Sequence, residues 1–285
     1  MSKVAFIGLG VMGYPMAGHL SKKFHTTVYN RTTDKSKKWV KDFKGKMELS
    51  ISETVKEADF VFCCVGNDND LRSVLLGENG VIKSMKKDTI LVDHTTCSAK
   101  VSKEISILAS KSKIEFMDAP VSGGQIGAEN GQLTIMCGGN DKTYNQVVKK
   151  ISCYSKFSSL MGPVGSGQLT KMVNQICIAG LVQGLAEGLH FSKKANLDGN
   201  KVLNVISKGA AGSWQMENRG QTMLNDEFDF GFAVDWMRKD LSICLDEANN
   251  NKAKLPITAL INQFYSDIQE IGGGRFDTSS LIKRL

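Results

Sequence analysis

The chain begins with a short apolar run, Val4-Ala5-Phe6-Ile7, that leads straight into Gly8-Leu9-Gly10-Val11-Met12-Gly13 and then into a helical pattern, Met12 to Lys22. This order constrains the fold more than any other feature. A buried strand followed by GxGxxG and a helix is the start of a βαβ unit whose turn accepts a dinucleotide pyrophosphate. Gly8 permits the tight turn, Gly10 lets the phosphates approach the backbone, and Gly13 lets helix and strand pack closely. The helix start supplies N–H groups and positive dipole, so Leu9, Val11 and Met12 join the glycines as cofactor-binding candidates.

Alternation continues through the first half. Strands are expected at Thr26–Asn30, weakly at Met47–Leu49, and then at Asp59–Val65, Thr89–Asp93, Ile114–Asp118, Leu133–Cys137 and near Phe157. Helices are expected over Asp34–Phe43, capped by Thr33 or Asp34, and over Ser98–Ser110. The pattern predicts a doubly wound α/β domain with a mostly parallel sheet. After Gly167 strands disappear: residues 168–195, Lys201–Lys208, Phe232–Asn250 and Pro256–Ile271 read as helices. The expected organisation is a Rossmann cofactor domain over 1–164 and an all-α substrate and oligomerisation domain over 165–285, joined by the long helix.

The end of the second strand bears on cofactor choice. A carboxylate there would bind a ribose 2′-hydroxyl and repel a 2′-phosphate. The sequence reads Asn30-Arg31-Thr32-Thr33, with no acid until Asp34. Arg31 offers a fork to a phosphate and a plane to adenine, while Asn30 and Thr32 add hydrogen bonds. NADP is expected over NAD, with NAD still usable.

Within Gly165-Ser166-Gly167-Gln168-Leu169-Thr170-Lys171-Met172-Val173-Asn174-Gln175, a glycine-bracketed turn opens the long helix. Lys171 and Asn174, at i and i+3, share a helix face and together can handle a hydroxyl oxygen and its proton. Further along, Gly180, Gly184 and Gly188 recur every four residues. Each costs on the order of 1 kcal/mol of helix stability relative to alanine, so they are read as a close helix–helix contact within this chain or with another subunit.

The remaining composition excludes other classes. Seven cysteines without a CxxC suit buried thiols, including Cys137, Cys177 and Cys244, in a reducing, cytoplasmic setting. Four scattered histidines give no metal-ligand spacing, so no metal is expected. The net charge of +7 is dispersed apart from Lys35–Lys41, which argues for a small anionic ligand and against nucleic acid. No window is expected to span a membrane; Ile176–Leu189 comes nearest, interrupted by Gln183 and Glu187.

Gly8 to Ala17, Asp118-Ala119-Pro120-Val121-Ser122-Gly123-Gly124-Gln125-Ile126-Gly127-Ala128, Gly165 to Asn174 and Lys239-Asp240-Leu241 run in order along the chain. Together they resemble the β-hydroxyacid dehydrogenases, a family that includes 3-hydroxyisobutyrate dehydrogenase, tartronate semialdehyde reductase and the glyoxylate/succinic semialdehyde reductases. The resemblance implies Lys171 as the catalytic general acid/base and Asn174 beside it. It implies Ser122, Gly123 and Gly124 as the carboxylate-binding turn, Thr96 near the nicotinamide, and Val65, Gly66 and Asn67 bordering the cofactor. Lys239 would reach the cofactor and substrate region. Gln175 stands where the family commonly has a second asparagine; it can still donate and accept, so a shifted substrate preference is expected. Asn30-Arg31-Thr32 is similar to the NADP-using branch, and Ala99 replaces a common proline.

The implied reaction is hydride transfer between the nicotinamide and a small 3-hydroxy acid or semialdehyde. A lysine base working near neutrality needs its pKa, about 10.4 when free, lowered by burial or a neighbouring cation; Lys239 is a candidate neighbour. The alternatives are an imine reductase on the same scaffold, which Lys171 disfavours, a non-catalytic NADP-binding protein, and a 6-phosphogluconate dehydrogenase, disfavoured by chain length. Trp214, Phe232 and Trp236 are equally core or distal pocket, and a homo-oligomer is expected.

Overall fold

The computed structural model describes residues 2–285, which divide into two compact units, the first ending at Lys171 and the second spanning Met172–Leu285. The division falls inside the long helix, some way beyond the predicted boundary at 164/165.

The first unit contains strands β1 (Lys3–Ile7), β2 (His25–Tyr29), β3 (Lys46–Met47), β4 (Phe60–Cys63), β5 (Ile90–Asp93), β6 (Glu115–Asp118), β7 (Val121–Ser122), β8 (Leu133–Cys137) and β9 (Ser155–Leu160). Its helices are α1 (Gly13–Ser21), α2 (Thr33–Asp42), α3 (Ile51–Val55), α4 (Asp68–Leu76), α5 (Val81–Ser84), α6 (Ala99–Lys111), α7 (Gly124–Glu129) and α8 (Asp141–Ile151). Six strands form a parallel sheet in the order β3-β2-β1-β4-β5-β6, the doubly wound arrangement.

Both faces of this sheet are covered, which explains strands that read as unbroken apolar runs. Val4 and Phe6, Phe60 and Phe62, Ile90 and Val92 point into one core; Ala5 and Ile7, Val61 and Cys63, and Leu91 point into the other.

Two details differ from expectation. β8 and β9 belong to a separate three-stranded sheet, β7-β8-β9, with β7 antiparallel and β9 parallel to β8. The parallel sheet ends at β6, and Pro120, which has no N–H to donate to a ladder, lies between β6 and β7. A single antiparallel bridge, Asp118 to Gly138, connects the two sheets. Also, α2 is entered through Thr32, whose side chain makes no cap bond; neither Thr33 nor Asp34 caps it.

α9 (Ser166–Lys194) starts in the first unit and continues into the second, where α10 (Gly199–Ile206), α11 (Trp214–Leu224), α12 (Val234–Asn251) and α13 (Pro256–Glu270) follow. Two 3-10 turns, Gly273–Arg275 and Thr278–Arg284, close the chain. Ala179, Val182, Leu185, Ala186 and Leu189 form the buried stripe of α9, spaced as one helix face, and pack with Met216, Val234, Met237, Leu241, Ile261 and Tyr265.

The opposite face of α9 is different. A Cβ built on Gly180, Gly184 or Gly188 meets no heavy atom within 4 Å, so the close contact read from the glycine stripe is not made within this chain. Cys177 on that side is exposed, against the expectation that it is buried; Cys63, Cys97 and Cys137 are buried thiols. Among the described residues, α9 is long and apolar enough by length and composition to cross a membrane, against expectation. Its apolar stripe is occupied by the helical core of the second unit.

Candidate active site

The glycine loop lies at the carboxyl end of β1, where an open parallel sheet binds its ligands. Gly8 has φ +96°, and a Cβ there would fall 2.2 Å from the Cys64 carbonyl oxygen. A Cβ on Gly13 would fall 2.0 Å from the Gly8 oxygen. These two glycines are required by the packing of loop, strand and helix. Gly10 is exposed and a Cβ on it meets nothing within 4 Å. That is the open approach a pyrophosphate needs, above a helix start that no side chain caps. The loop therefore fits a dinucleotide.

Asn30 holds this loop in place. Its Oδ1 accepts from Leu9 N–H at 2.8 Å and its Nδ2 donates to the Thr32 carbonyl at 3.1 Å. The carboxamide thus ties the glycine loop to the turn that carries Arg31. Arg31 and Thr32 are exposed immediately after β2.

The loops after β4 and β5 are tied together. Val65 N–H donates to Thr95 Oγ1 at 3.0 Å. Asn67 caps α4, its Oδ1 accepting from the N–H groups of Asn69 and Asp70. Asp68 accepts from Ser98 N–H at 2.9 Å and Ser98 Oγ at 2.6 Å, fixing the start of α6. Val65, Gly66 and Asn67 are half-buried, as is Thr96 between buried Thr95 and Cys97.

Two buried residues absent from the candidates above organise the start of α9. Asp118, at the end of β6, accepts from Gly165 N–H at 2.7 Å and Gln168 N–H at 2.9 Å. Its carboxylate thereby satisfies orphan donors of the helix and complements the dipole. Burial pushes the Asp118 pKa up to about 6, opposed by these N–H bonds. The approach is close: a Cβ on Gly167 would lie 2.4 Å from the Met136 oxygen, and one on Gly138 would lie 2.4 Å from Asp118 Oδ1.

Gln168 is fully buried. Its Nε2 donates to the Thr95 carbonyl at 2.8 Å and its Oε1 accepts from Cys97 N–H at 3.2 Å. Both residues are visible in the quoted motifs, but only their partners reveal what they do.

Lys171, one turn beyond Gln168, is 7% exposed. The carboxylate-binding candidates sit at β7 and the start of α7: Ser122 pairs with Thr134 across the small sheet, and Gly123 and Gly124 have φ +130° and +62°. Those angles favour glycine. A Cβ on Gly124 meets nothing within 4 Å, so its backbone is open to an anion.

In the second unit, Asn174, Gln175, Asp240 and Lys239 form one chain of contacts. Asn174 Nδ2 donates to Gln175 Oε1 at 2.8 Å, Gln175 Nε2 donates to Asp240 Oδ2 at 2.6 Å, and Lys239 Nζ lies 3.1 Å from Asp240 Oδ1. Gln175 and Asp240 are each 2% exposed. Gln175, expected at the substrate, donates to Asp240 and accepts from Asn174. Trp214 and Trp236 are exposed and Phe232 is half-buried. Arg219 lies 5.0 Å from the Trp214 ring, and Lys239 lies 5.7 Å from that of Trp236.

Residues 3–165 match the NAD-binding domain of 6-phosphogluconate dehydrogenase, and residues 165–285 match the NAD-binding region of NADP-dependent 3-hydroxyisobutyrate dehydrogenase. An uncharacterized oxidoreductase of Shewanella frigidimarina is 60% identical over 286 residues, covering 100% of this chain and 98% of that protein. The 2-hydroxy-3-oxopropionate reductase of Escherichia coli is 32% identical, covering 99% of this chain and 97% of that one. The structure of Mycobacterium tuberculosis 3-hydroxyisobutyrate dehydrogenase with L-serine shares the fold, with a TM-score of 0.89 at 24% identity over 100% of this chain and 99% of that one. Matches that run in order through both halves leave one assignment: the chain belongs to the β-hydroxyacid dehydrogenase family of NAD(P)-binding oxidoreductases, which act on CH–OH groups.

Proposed function

We propose that this protein interconverts a small semialdehyde and its 3-hydroxy acid with NADP(H) preferred over NAD(H), and that Lys171 moves the proton. The observation that carries this reading is the connection from Gln168 to both neighbours of Thr96, one helical turn before a buried lysine. A buried, rigidly mounted amine beside a cofactor loop suits general acid–base work better than a solvated surface lysine does.

A nicotinamide held by the glycine loop and the Thr96 segment would supply or accept the hydride at the carbinol carbon. In reduction the Lys171 ammonium donates its proton to the aldehyde oxygen as that oxygen gains charge; in oxidation the neutral amine takes the hydroxyl proton. Asn174, on the same helix face, hydrogen-bonds that oxygen. The Ser122-Gly123-Gly124 turn holds the carboxylate through uncovered N–H groups and a hydroxyl. Lys239, paired with Asp240, supplies positive charge for the anionic ligands, and Gln175 orients Asn174. Arg31 receives the 2′-phosphate, supported by Thr32, and Asn30 fixes the glycine loop beneath it. Thr96, with Val65, Gly66 and Asn67, borders the nicotinamide half.

We further propose a homo-oligomer assembled over the Gly180-Gly184-Gly188 face and a reducing, cytoplasmic setting that suits the buried thiols. The relative named for 2-hydroxy-3-oxopropionate supports a short, polar acid as substrate.

The test is NADPH oxidation screened over glyoxylate, succinic semialdehyde, tartronate semialdehyde and methylmalonate semialdehyde. Saturable turnover is expected with at least one of them. Turnover of cyclic imines with none of these aldehydes would move the protein to the imine reductase reading.

A further inference from the structure

Gln168 makes an unusual use of its side chain. One carboxamide spans the peptide units on both sides of a single residue, donating to the Thr95 carbonyl and accepting from Cys97 N–H. These bonds are fully buried, so neither backbone group has water to fall back on. The clamped segment is fixed from its other sides too. Thr95 N–H donates to Asp93 Oδ1 at 3.0 Å, and Thr95 Oγ1 accepts from Val65 N–H. On the helix side, Gln168 N–H is fixed on Asp118 Oδ2, so the backbone of the clamping residue cannot drift. Gln168 and Lys171, three residues apart, share one face of α9.

We infer that Gln168 is a positioning residue that locks the Thr95–Cys97 segment to the helix carrying Lys171, setting the nicotinamide-side loop and the proton-transferring amine in one register. The inference rests on the proposed role of Lys171 and adds the device that holds it to the loop. A glutamine suits the task because it presents a donor and an acceptor side by side, the pair that the flanking C=O and N–H require. An ionised glutamate cannot donate, and a methionine cannot donate and accepts only weakly.

The experiment compares wild type with Gln168→Met and Gln168→Glu. Hydrogen–deuterium exchange is read on the peptide containing Cys97, and NADPH affinity is read by fluorescence titration, beside kcat and KM. In the folded Met variant the Cys97 amide should exchange about tenfold faster or more, because its acceptor is gone. NADPH affinity should fall several-fold, and kcat should fall about tenfold or more with KM for the aldehyde changing much less.

The Glu variant should recover kcat, relative to wild type, as the pH is lowered from about 8 to about 6, since a protonated carboxyl restores the donor to the Thr95 carbonyl. Wild-type-like exchange and kcat in the Met variant would overturn the inference. So would a Glu variant whose ratio to wild type does not change with pH, and that arm decides if the Met variant does not fold. Lys171→Ala, measured alongside, separates the two readings: it should keep Cys97 protected. Retained turnover in that variant removes the acid–base role while leaving the exchange result intact.

Discussion

Gln175 Nε2 donates to Asp240 Oδ2 at 2.6 Å, in a position where both residues are almost completely buried. Asp240 Oδ1 faces Lys239 Nζ at 3.1 Å, and the glutamine satisfies the other oxygen of this buried carboxylate while its own oxygen accepts from Asn174. An asparagine is one methylene shorter and cannot span both partners. Gln175→Asn should therefore lower stability by about 1–3 kcal/mol, the cost of an under-satisfied buried group. Urea unfolding checks it, and an unchanged midpoint would show that the residues around Asp240 repack.

Lys171→Ala should abolish most turnover while leaving NADPH binding intact. General acid–base catalysis contributes about 10²–10⁴-fold, so a loss in that range is expected in kcat. Activity within a few-fold of wild type would exclude Lys171 as the group that moves the proton.

Arg31→Ala should erode the preference for NADPH by raising its KM, with little effect on NADH. The proposed fork to the 2′-phosphate would be lost, and Arg31 is exposed immediately after β2. The measurement is kcat/KM for the two cofactors in both proteins; equal use of both by wild type would remove the basis for the preference.

The glycine loop separates folding from binding. Gly13→Ala places a Cβ 2.0 Å from the Gly8 oxygen, so the backbone must shift and a destabilisation of about 1–3 kcal/mol is expected. Gly10→Ala meets no protein atom and should leave stability within about 0.5 kcal/mol. It should nevertheless weaken NADPH binding, because the methyl group occupies the approach of the pyrophosphate. Thermal unfolding and fluorescence titration of the two variants should give opposite rankings.

Buried Asp93 and His94 set opposite pH limits on stability. Burial pushes the Asp93 pKa up from 3.8 to about 7. Its contribution is fully present below the unfolded value and is lost as pH rises through about 7. Burial pulls His94 down from 6.5 to about 4, with Nδ1 at the Ala119 carbonyl and Nε2 at the Tyr154 hydroxyl. Its contribution is present above 6.5 and is lost as pH falls through about 4. Asp93→Asn keeps an acceptor for Thr95 N–H and should flatten the decline of the unfolding temperature between about pH 4 and pH 7, the window between the unfolded and folded values of Asp93. A decline as steep as in wild type would assign it to another group.

The parallel sheet, the glycine loop and the shift to helices after Gly167 were determined by sequence alone, because each is a local signal: apolar runs of strand length, a fixed glycine spacing, a change of period. Adjacent motif residues such as Lys171 and Asn174 could likewise be related by helical spacing. What the chain pairs over long distances was not legible. Nothing in the order of residues says that Asp118 holds the start of α9 or that Gln168 reaches Thr95 and Cys97; nor does it show that Gln175 turns to Asp240 instead of lying open. The second small sheet escaped for the same reason, since pairing partners are chosen in three dimensions and a strand does not carry the name of its neighbour. These contacts exist because a buried polar group must find a partner, and only the folded backbone decides which partner comes within reach.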